Sequence, residues 1–308
     1  GISIIYISHR MEEVYEIADR ITILRNGKRL LTKPLAEISA AQIVEGIVGK
    51  AVEVSGPAAG TGQDGEVVLE TRGMATVGGL HDVELTLRAG QVVGLAGLMG
   101  SGRSELARAL YGIDRITDGT ILVDGAPVSI TSPAQALEHG ICLIPEDRRQ
   151  QGLILDHSVT ANLALPHLDD VLAGPFVDNK AVDSLVRRLI GTFGIKVADP
   201  SAPAKLLSGG NQQKIVIAKW ISRQPRVLVM DEPTAGVDIG TKAEIIATVR
   251  AFAEKGMAVL VISSEYSELL AMSDRLLLMR DFTIAREIDR SAVSDEKSLE
   301  LEVQGVAA

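Results

Sequence analysis

The chain has 308 residues, of which 46% are hydrophobic, 23% charged and only 3% aromatic, and its formal net charge is −9. That length suits one large domain with a smaller unit beside it, and the acidic balance argues against nucleic-acid binding, which needs clustered Lys and Arg to neutralise phosphates. No apolar run nears the roughly 18 residues a membrane helix needs and no basic-then-apolar leader is visible, so the expected protein neither spans a membrane nor is exported.

Residues 1–50 open on an apolar run, Ile2-Ser3-Ile4-Ile5-Tyr6-Ile7, that predicts a strand, followed by a turn, an amphipathic helix and a second strand. The same order returns near the other end. Ile7-Ser8-His9-Arg10-Met11-Glu12-Glu13, with Asp19-Arg20 and Arg25, lines up with Ile262-Ser263-Ser264-Glu265-Tyr266-Ser267-Glu268, Asp274-Arg275 and Arg280 at a constant offset of 255, the separation of His9 from Ser264. A shared period marks duplicated units, so residues 1–50 are expected to be the tail of a first domain whose remainder precedes Gly1. So small a fragment encloses no core of its own, and it should be held only by docking on the larger domain, or held poorly. Residues 51–65, rich in Gly, Ala and Pro from Ser55 to Gly65, read as a linker, which leaves 66–308 as the second domain.

In that second domain the short half-apolar segments Glu66–Glu70, Val83–Leu87 and Thr120–Val123 predict an antiparallel β layer. Continuous apolar runs at 92–96, 141–144, 227–230 and 258–262 predict a core sheet buried on both faces, hence an α/β fold. Between the first of these and the helical stretch Glu105–Leu110 lies Gly97-Leu98-Met99-Gly100-Ser101-Gly102-Arg103-Ser104. It meets the phosphate-loop pattern G-x-x-x-x-G-K-[ST] at every fixed position but one, where Arg103 replaces Lys. Backbone amides of such a loop wrap phosphates, and the Ser104 hydroxyl suits Mg²⁺.

Farther on, Cys142 reads as a small buried hydrophobe, and Arg148-Arg149, flanked by Glu146 and Asp147, as a solvated or ion-paired face. His9, His81, His139, His157 and His167 show no metal-ligand spacing, so the only metal expected is Mg²⁺ brought with nucleotide. From 150 to 207 the pattern is helical, notably Ala181–Phe193 with Val182, Leu185, Val186, Leu189 and Ile190 on one face. Next comes Leu207-Ser208-Gly209-Gly210-Asn211-Gln212-Gln213-Lys214, whose Gly-Gly pair at a helix start lets amides approach a phosphate. One helix length later Val227-Leu228-Val229-Met230-Asp231-Glu232-Pro233 ends an apolar strand in two carboxylates, one placed for Mg²⁺ and one beside an attacking water. A lone Ser-Gly-Gly is ordinarily a turn, and Asp-Glu a solvated strand end. It is the three segments in this order that point to an ATP-driven machine.

These motifs resemble the ATP-binding subunits of bacterial ABC transporters. The resemblance covers essentially the whole chain and is closest to the second half of the ribose, xylose and galactose type monosaccharide ATPases, through Leu207–Lys214, Pro145-Glu146-Asp147-Arg148-Arg149 with Gly152-Leu153, and Gly97 through Arg103. It implies a P-loop NTPase of ABC type with an antiparallel β subdomain and a helical subdomain, about 150–207, that meets transmembrane permease subunits. It further implies two ATPase domains in one polypeptide dimerised head to tail, ATP and Mg²⁺ as ligands, and monosaccharide import. A periplasmic sugar-binding protein would be an indirect partner, and the place would be peripheral, on the cytoplasmic face of the inner membrane. In that scheme Gly97, Leu98, Met99, Gly100, Ser101, Gly102, Arg103 and Ser104 hold ATP, Ser104 and Asp231 hold Mg²⁺, and Glu232 is the general base. Leu207, Ser208, Gly209, Gly210, Asn211 and Gln212 form a signature segment reaching the γ-phosphate on the partner domain, and His9 is a switch histidine.

Four departures gather around one nucleotide. Arg103 brings a planar fork in place of a compact ammonium. Ser264 stands where the first copy has His9 and is too short for a γ-phosphate contact, and Glu146 stands where the family's loop Gln is usual. No Phe, Tyr or Trp lies between Tyr15 and Tyr111, so the usual adenine stack, worth about 1–3 kcal/mol, is missing. The site on this domain's own phosphate loop is therefore expected to bind nucleotide but turn it over slowly or not at all, while its signature segment completes the partner's site. Two other readings are import of nucleosides, whose ATPases carry a closely similar signature, and a soluble ABC protein acting on ribosomes or DNA. The latter would need basic arms or a charged linker where this chain has 55–65.

Overall fold

The computed structural model describes residues 2–7, 11–25, 27–39, 42–43, 46, 65–288, 290, 293 and 295–305. Residues 51–64 of the expected linker, and His9, lie outside them. In the first unit, helix α1 (Met11–Ile17) leads into the antiparallel pair β1 (Arg20–Arg25) and β2 (Lys28–Pro34), tied across the strands by a 3.0 Å bond between the Thr22 and Thr32 hydroxyls. Alternation in β1 turns Ile21 and Ile23 inward, and Ile23, Ile38 and Ile43 form a small cluster of their own. The strand expected at residues 2–7 is not formed: Ile2, Ile4, Ile5 and Ile7 are 82–92% exposed. An apolar run is held as a strand only where a neighbouring strand takes up its N–H and C=O groups, and no described strand pairs with this one.

The second unit begins with β3 (Val67–Thr76) and β4 (Val83–Arg88), then the wholly buried β5 (Val92–Gly97) and α2 (Arg103–Leu110). Strands β6 (Ile116–Val123) and β7 (Ala126–Val128) complete an antiparallel sheet of order β4-β3-β6-β7. Strict alternation in β4 buries Val83, Leu85 and Leu87. Where β3 bulges after Thr71, the Thr71 hydroxyl replaces the lost ladder bonds, donating to Val83 O (2.8 Å) and accepting from Leu85 N (2.9 Å).

Helix α3 (Pro133–Glu138) and strand β8 (Ile141–Ile144) lead into the helical region: α4 (Val159–Ala164), a two-rung hairpin of β9 (Leu172–Ala173) and β10 (Phe176–Val177), and α5 (Asn179–Thr192). Val182, Leu185, Val186 and Leu189 of α5 are buried at helical spacing, as the apolar stripe required, with Ile190 partly buried against the same cluster. Helix α6 (Gly209–Ile221) returns to the core. His167 ties the two regions, its Nδ1 bonded to Asp170 (3.0 Å) and its Nε2 to the Ser222 hydroxyl at the end of α6 (2.7 Å). Strand β11 (Val227–Asp231), α7 (Ile239–Ala253), β12 (Ala258–Ile262), α8 (Tyr266–Met272), β13 (Arg275–Arg280), β14 (Thr283–Ile288) and α9 (Glu296–Gln304) complete the order.

The main sheet has the order β14-β13-β5-β12-β11-β8, parallel except for the edge strand β14. All four apolar runs expected in the core lie in it, with Cys142 buried in β8, where burial pushes the thiol up to about 12 and leaves it inert. In register, Leu95 of β5 pairs with Ile262 of β12, which pairs with Asp231 of β11. The carboxyl ends of three strands therefore finish side by side, which is where open α/β sheets bind ligands. The internal repeat has a structural counterpart, since α1 and α8, and likewise β1 and β13, start and stop at positions 255 apart.

Candidate functional site

The loop after β5 is shaped by its glycines. A Cβ on Gly97 would lie 2.6 Å from both Met279 O and Ser101 Oγ, and Gly102, at φ +105°, caps α2 in a left-handed conformation. The Ser101 amide donates to Leu98 O (3.1 Å), and Ser101 O accepts from Phe282 N (2.9 Å) in the β13–β14 turn. Leu98 and Met99 are exposed, and Ser101 Oγ is buried without a partner. The first amides of α2 open at the end of this loop, the arrangement that suits an anion.

Beside it stand the strand ends. Arg103 Nη1 donates to Ser263 O (3.0 Å), directly after β12. The next residue, Ser264, donates its hydroxyl to Glu232 Oε2 (3.1 Å). Glu232 itself is held at φ +46° by its amide bond to Ile262 O (2.9 Å), a strained conformation that fixes where its carboxylate stands. Burial raises its pKa, and the Ser264 bond and the Arg103 charge draw it back down. Asp231 is 6% exposed and likewise raised by burial, against which the Ser104 hydroxyl acts. Its Oδ1 is buried with no bonded partner. An orphaned carboxylate oxygen beside a Ser hydroxyl is a hard oxygen donor pair, and these two residues fit Mg²⁺. Glu146, exposed after β8, adds negative charge that raises Asp231 further.

The signature segment stands elsewhere. Ser208 caps α6, its hydroxyl accepting from Asn211 Nδ2 (2.9 Å), and Asn211 Oδ1 accepts from Lys196 N (2.7 Å), so its bonds stay outside residues 97–104. The expectation of a solvated or ion-paired face at 148–149 holds for the exposed Arg149 and needs correction at Arg148. Arg148 is half-buried and bonds backbone, donating to Ala235 O (2.5 Å) and Gly236 O (3.4 Å) in the turn after Glu232. A Cβ on Gly209 would lie 2.7 Å from its Nη2. One guanidinium thus joins the turn after β8, the turn after β11 and the signature turn, because a fork of five donors can serve carbonyls that no carboxylate faces. Arg148→Ala is expected to cost about 1–3 kcal/mol, the penalty for orphaned carbonyls, whereas Arg149→Ala should stay within about 0.5 kcal/mol, as read from urea unfolding midpoints.

Leu207, Gly210 and Gln212 complete that segment, Gln212 through a 3.2 Å bond to Ala204 O, and Gly210 packed on Thr241, whose Oγ1 would lie 2.7 Å from an added Cβ. Residue-by-residue reading missed Ser263, Met279 and Phe282, all of which touch the glycine loop. The 255-residue repeat was the signal that could have found them, since it brackets that part of the chain.

A family described as ABC transporter matches residues 80–235. Ribose import ATP-binding protein RbsA of Bacillus subtilis (strain 168) is 41% identical over 305 residues, 99% of this chain and 62% of that protein. RbsA of Geobacillus kaustophilus (strain HTA426) is 42% identical over 296 residues, 96% of this chain and 60% of that protein. The chain thus spans about three-fifths of the length of these curated relatives. Among solved structures, a nucleotide-free ATP-binding cassette from an ABC transporter superposes with a TM-score of 0.64 at 21% identity, over 77% of this chain and 98% of that one, a likeness of fold.

Proposed function

This chain belongs to the ABC transporter family, and from that premise we propose that it is the second ATPase half of a tandem subunit that couples ATP to import of a monosaccharide of the ribose class. The observation that carries this reading is identity of 41% across 99% of the chain with a ribose import ATP-binding protein. The first unit, whose helix and strand repeat those of the second at the same offset, is read as the end of a preceding ATPase domain. No described helix is long and apolar enough to cross a membrane, consistent with peripheral attachment through a permease to the cytoplasmic face of the inner membrane.

In this reading residues 97–104 wrap the ATP phosphates with backbone amides, and Arg103 sets its guanidinium beside them. Mg²⁺ held by Ser104 and Asp231 would offset phosphate charge. Glu232 accepts a proton from the attacking water, and burial, which raises its pKa, makes it a stronger base than an exposed carboxylate. The Ser264 hydroxyl is spent on Glu232 rather than on a phosphate, which supports slow turnover at this site. Ser208, Gly209 and Gly210 serve the nucleotide of the partner domain, since their bonds leave the loop at 97–104 untouched. The reading is tested by ATP-driven uptake of labelled ribose into vesicles carrying the permease and the complete tandem protein; a protein that binds ATP yet drives no monosaccharide uptake would overturn it.

A further inference from the structure

Glu268 of α8 has no part in that chemistry, yet it is 1% exposed and stands directly behind the reacting side chains. Its Oε2 accepts a 2.6 Å bond from Ser263 Oγ, which in turn accepts from the Glu265 amide (3.1 Å). Ser263 is the residue whose carbonyl holds Arg103 and whose neighbour Ser264 bonds Glu232. The other carboxyl oxygen, Oε1, is buried beside the buried Thr234 hydroxyl, two residues past Glu232, and that hydroxyl acts to lower the carboxyl's pKa against its burial. The carboxyl therefore touches both segments that carry the reacting side chains. The charged groups facing it are Lys242 of α7 and Glu265, which pair with one another. In the internal repeat Ser8 and Glu13 stand 255 residues before Ser263 and Glu268, so the pair recurs although His9 has given way to Ser264. A pair kept while the adjacent switch position changes points to a task separate from that position's chemistry.

We propose that Glu268 is a positioning residue of this site: by bonding Ser263 it fixes the Ser263–Ser264 turn, so that the Ser263 carbonyl holds Arg103 and the Ser264 hydroxyl reaches Glu232. The consequence for ligand binding rests on the reading that residues 97–104 hold a nucleotide. Burial pushes the carboxyl up to about 7, so its protonation changes around neutral pH, and a neutral amide of the same shape removes that change. Since the folded value of about 7 lies above the unfolded chain's 4.5, the carboxyl's contribution to stability is full below the unfolded value, is lost as pH rises between the two, and is gone above the folded one.

The test compares the full chain with Glu268→Gln and Glu268→Leu. In the absence of ligand, hydrogen exchange at the Glu265 amide should quicken by about tenfold in Glu268→Leu, the worth of a buried hydrogen bond, and stay within about threefold of wild type in Glu268→Gln. Affinity for Mg-ADP, compared at equal folded fraction, should fall about tenfold in the Leu variant and be kept in the Gln variant. The gap in thermal midpoint between Glu268→Gln and wild type should widen in favour of the variant from pH 5 to pH 8. If Glu268→Leu does not fold, Ser263→Ala removes the donor to Glu268 and is read by Mg-ADP affinity alone, which should fall about tenfold, because the same Ser263 hydroxyl is also the acceptor of the Glu265 amide. Unchanged exchange at Glu265 in Glu268→Leu, or loosened exchange with unchanged Mg-ADP affinity, overturns the inference. Loosened exchange in a chain whose wild type binds no Mg-ADP supports the positioning role and sinks the nucleotide reading instead.

Discussion

Replacing Gly209 by Asp in the complete tandem protein is expected to lower ATP-driven uptake by about 10²–10³, the usual cost of losing preorganised anion stabilisation. Gly209 opens α6, whose positive end should face the partner domain's γ-phosphate. An added Cβ meets Arg148 Nη2 at 2.7 Å and Gly236 O at 3.2 Å, and the carboxylate places negative charge where an anion must come. Equilibrium binding to residues 97–104 of the same domain should survive, because no amide of that loop changes. The introduced carboxylate can also pair with Arg148, so Arg148→Ala is the control: it removes the guanidinium without the charge and should leave most of the uptake. A fall in binding at 97–104 as steep as the fall in uptake would place Ser208 and its neighbours at their own domain's nucleotide.

The second large effect is a gain. Purified alone, the chain should hydrolyse ATP negligibly, and Glu232→Gln should change little. In the tandem protein, Arg103→Lys combined with Ser264→His is expected to raise single-turnover hydrolysis at this site by about tenfold or more, since one correctly placed donor at a developing charge is worth 10²–10³. The lysine frees Ser263 O from the guanidinium and restores a compact cation for the phosphates, and the imidazole has the reach that the Ser264 hydroxyl lacks. Should the rate not move, Glu146 or the Ser263 turn is the limiting defect. Substantial steady-state activity in the isolated chain, lost on Glu232→Gln, would contradict the slow site from the other side.

What could be read from the residues alone followed burial. Runs such as Val227–Met230 and Ala258–Val261 are apolar at every position because both faces of the main sheet are covered, and that composition is visible without neighbours. Segment 2–7 has the same look, yet no described strand pairs with it, which shows that an apolar run reports a demand for burial and not its fulfilment. The turn of the glycine loop before a helix, the carboxylates ending a strand and the Ser208 cap of α6 were legible as local geometry because each needs its own residue types. Arg148, Ser263 and Glu268 were not, since their roles come from bonds to backbone or hydroxyl groups far along the chain. Flanking charges at 146–147 even suggested ion pairing for Arg148, whereas the fold brings carbonyls to it. Strand β7 and the β9–β10 hairpin escaped because two or three residues carry no period.

Strand β5, which launches the glycine loop, is flanked in the sheet by β12 and β13 alone, with Val92 beside Val259 and Val93 beside Arg275. During synthesis β5 emerges early and then waits for both neighbours while the whole stretch to Val259 is made, on the order of ten seconds or more at ribosomal rates. Through that interval a strand buried at every position in the finished fold has two open edges, a state that favours pairing with other chains and calls for chaperone cover. The same topology makes nucleotide a late ligand in folding. The loop that would hold it has no Ser263 carbonyl and no Met279 beneath it until nearly the last turn of the domain has left the ribosome.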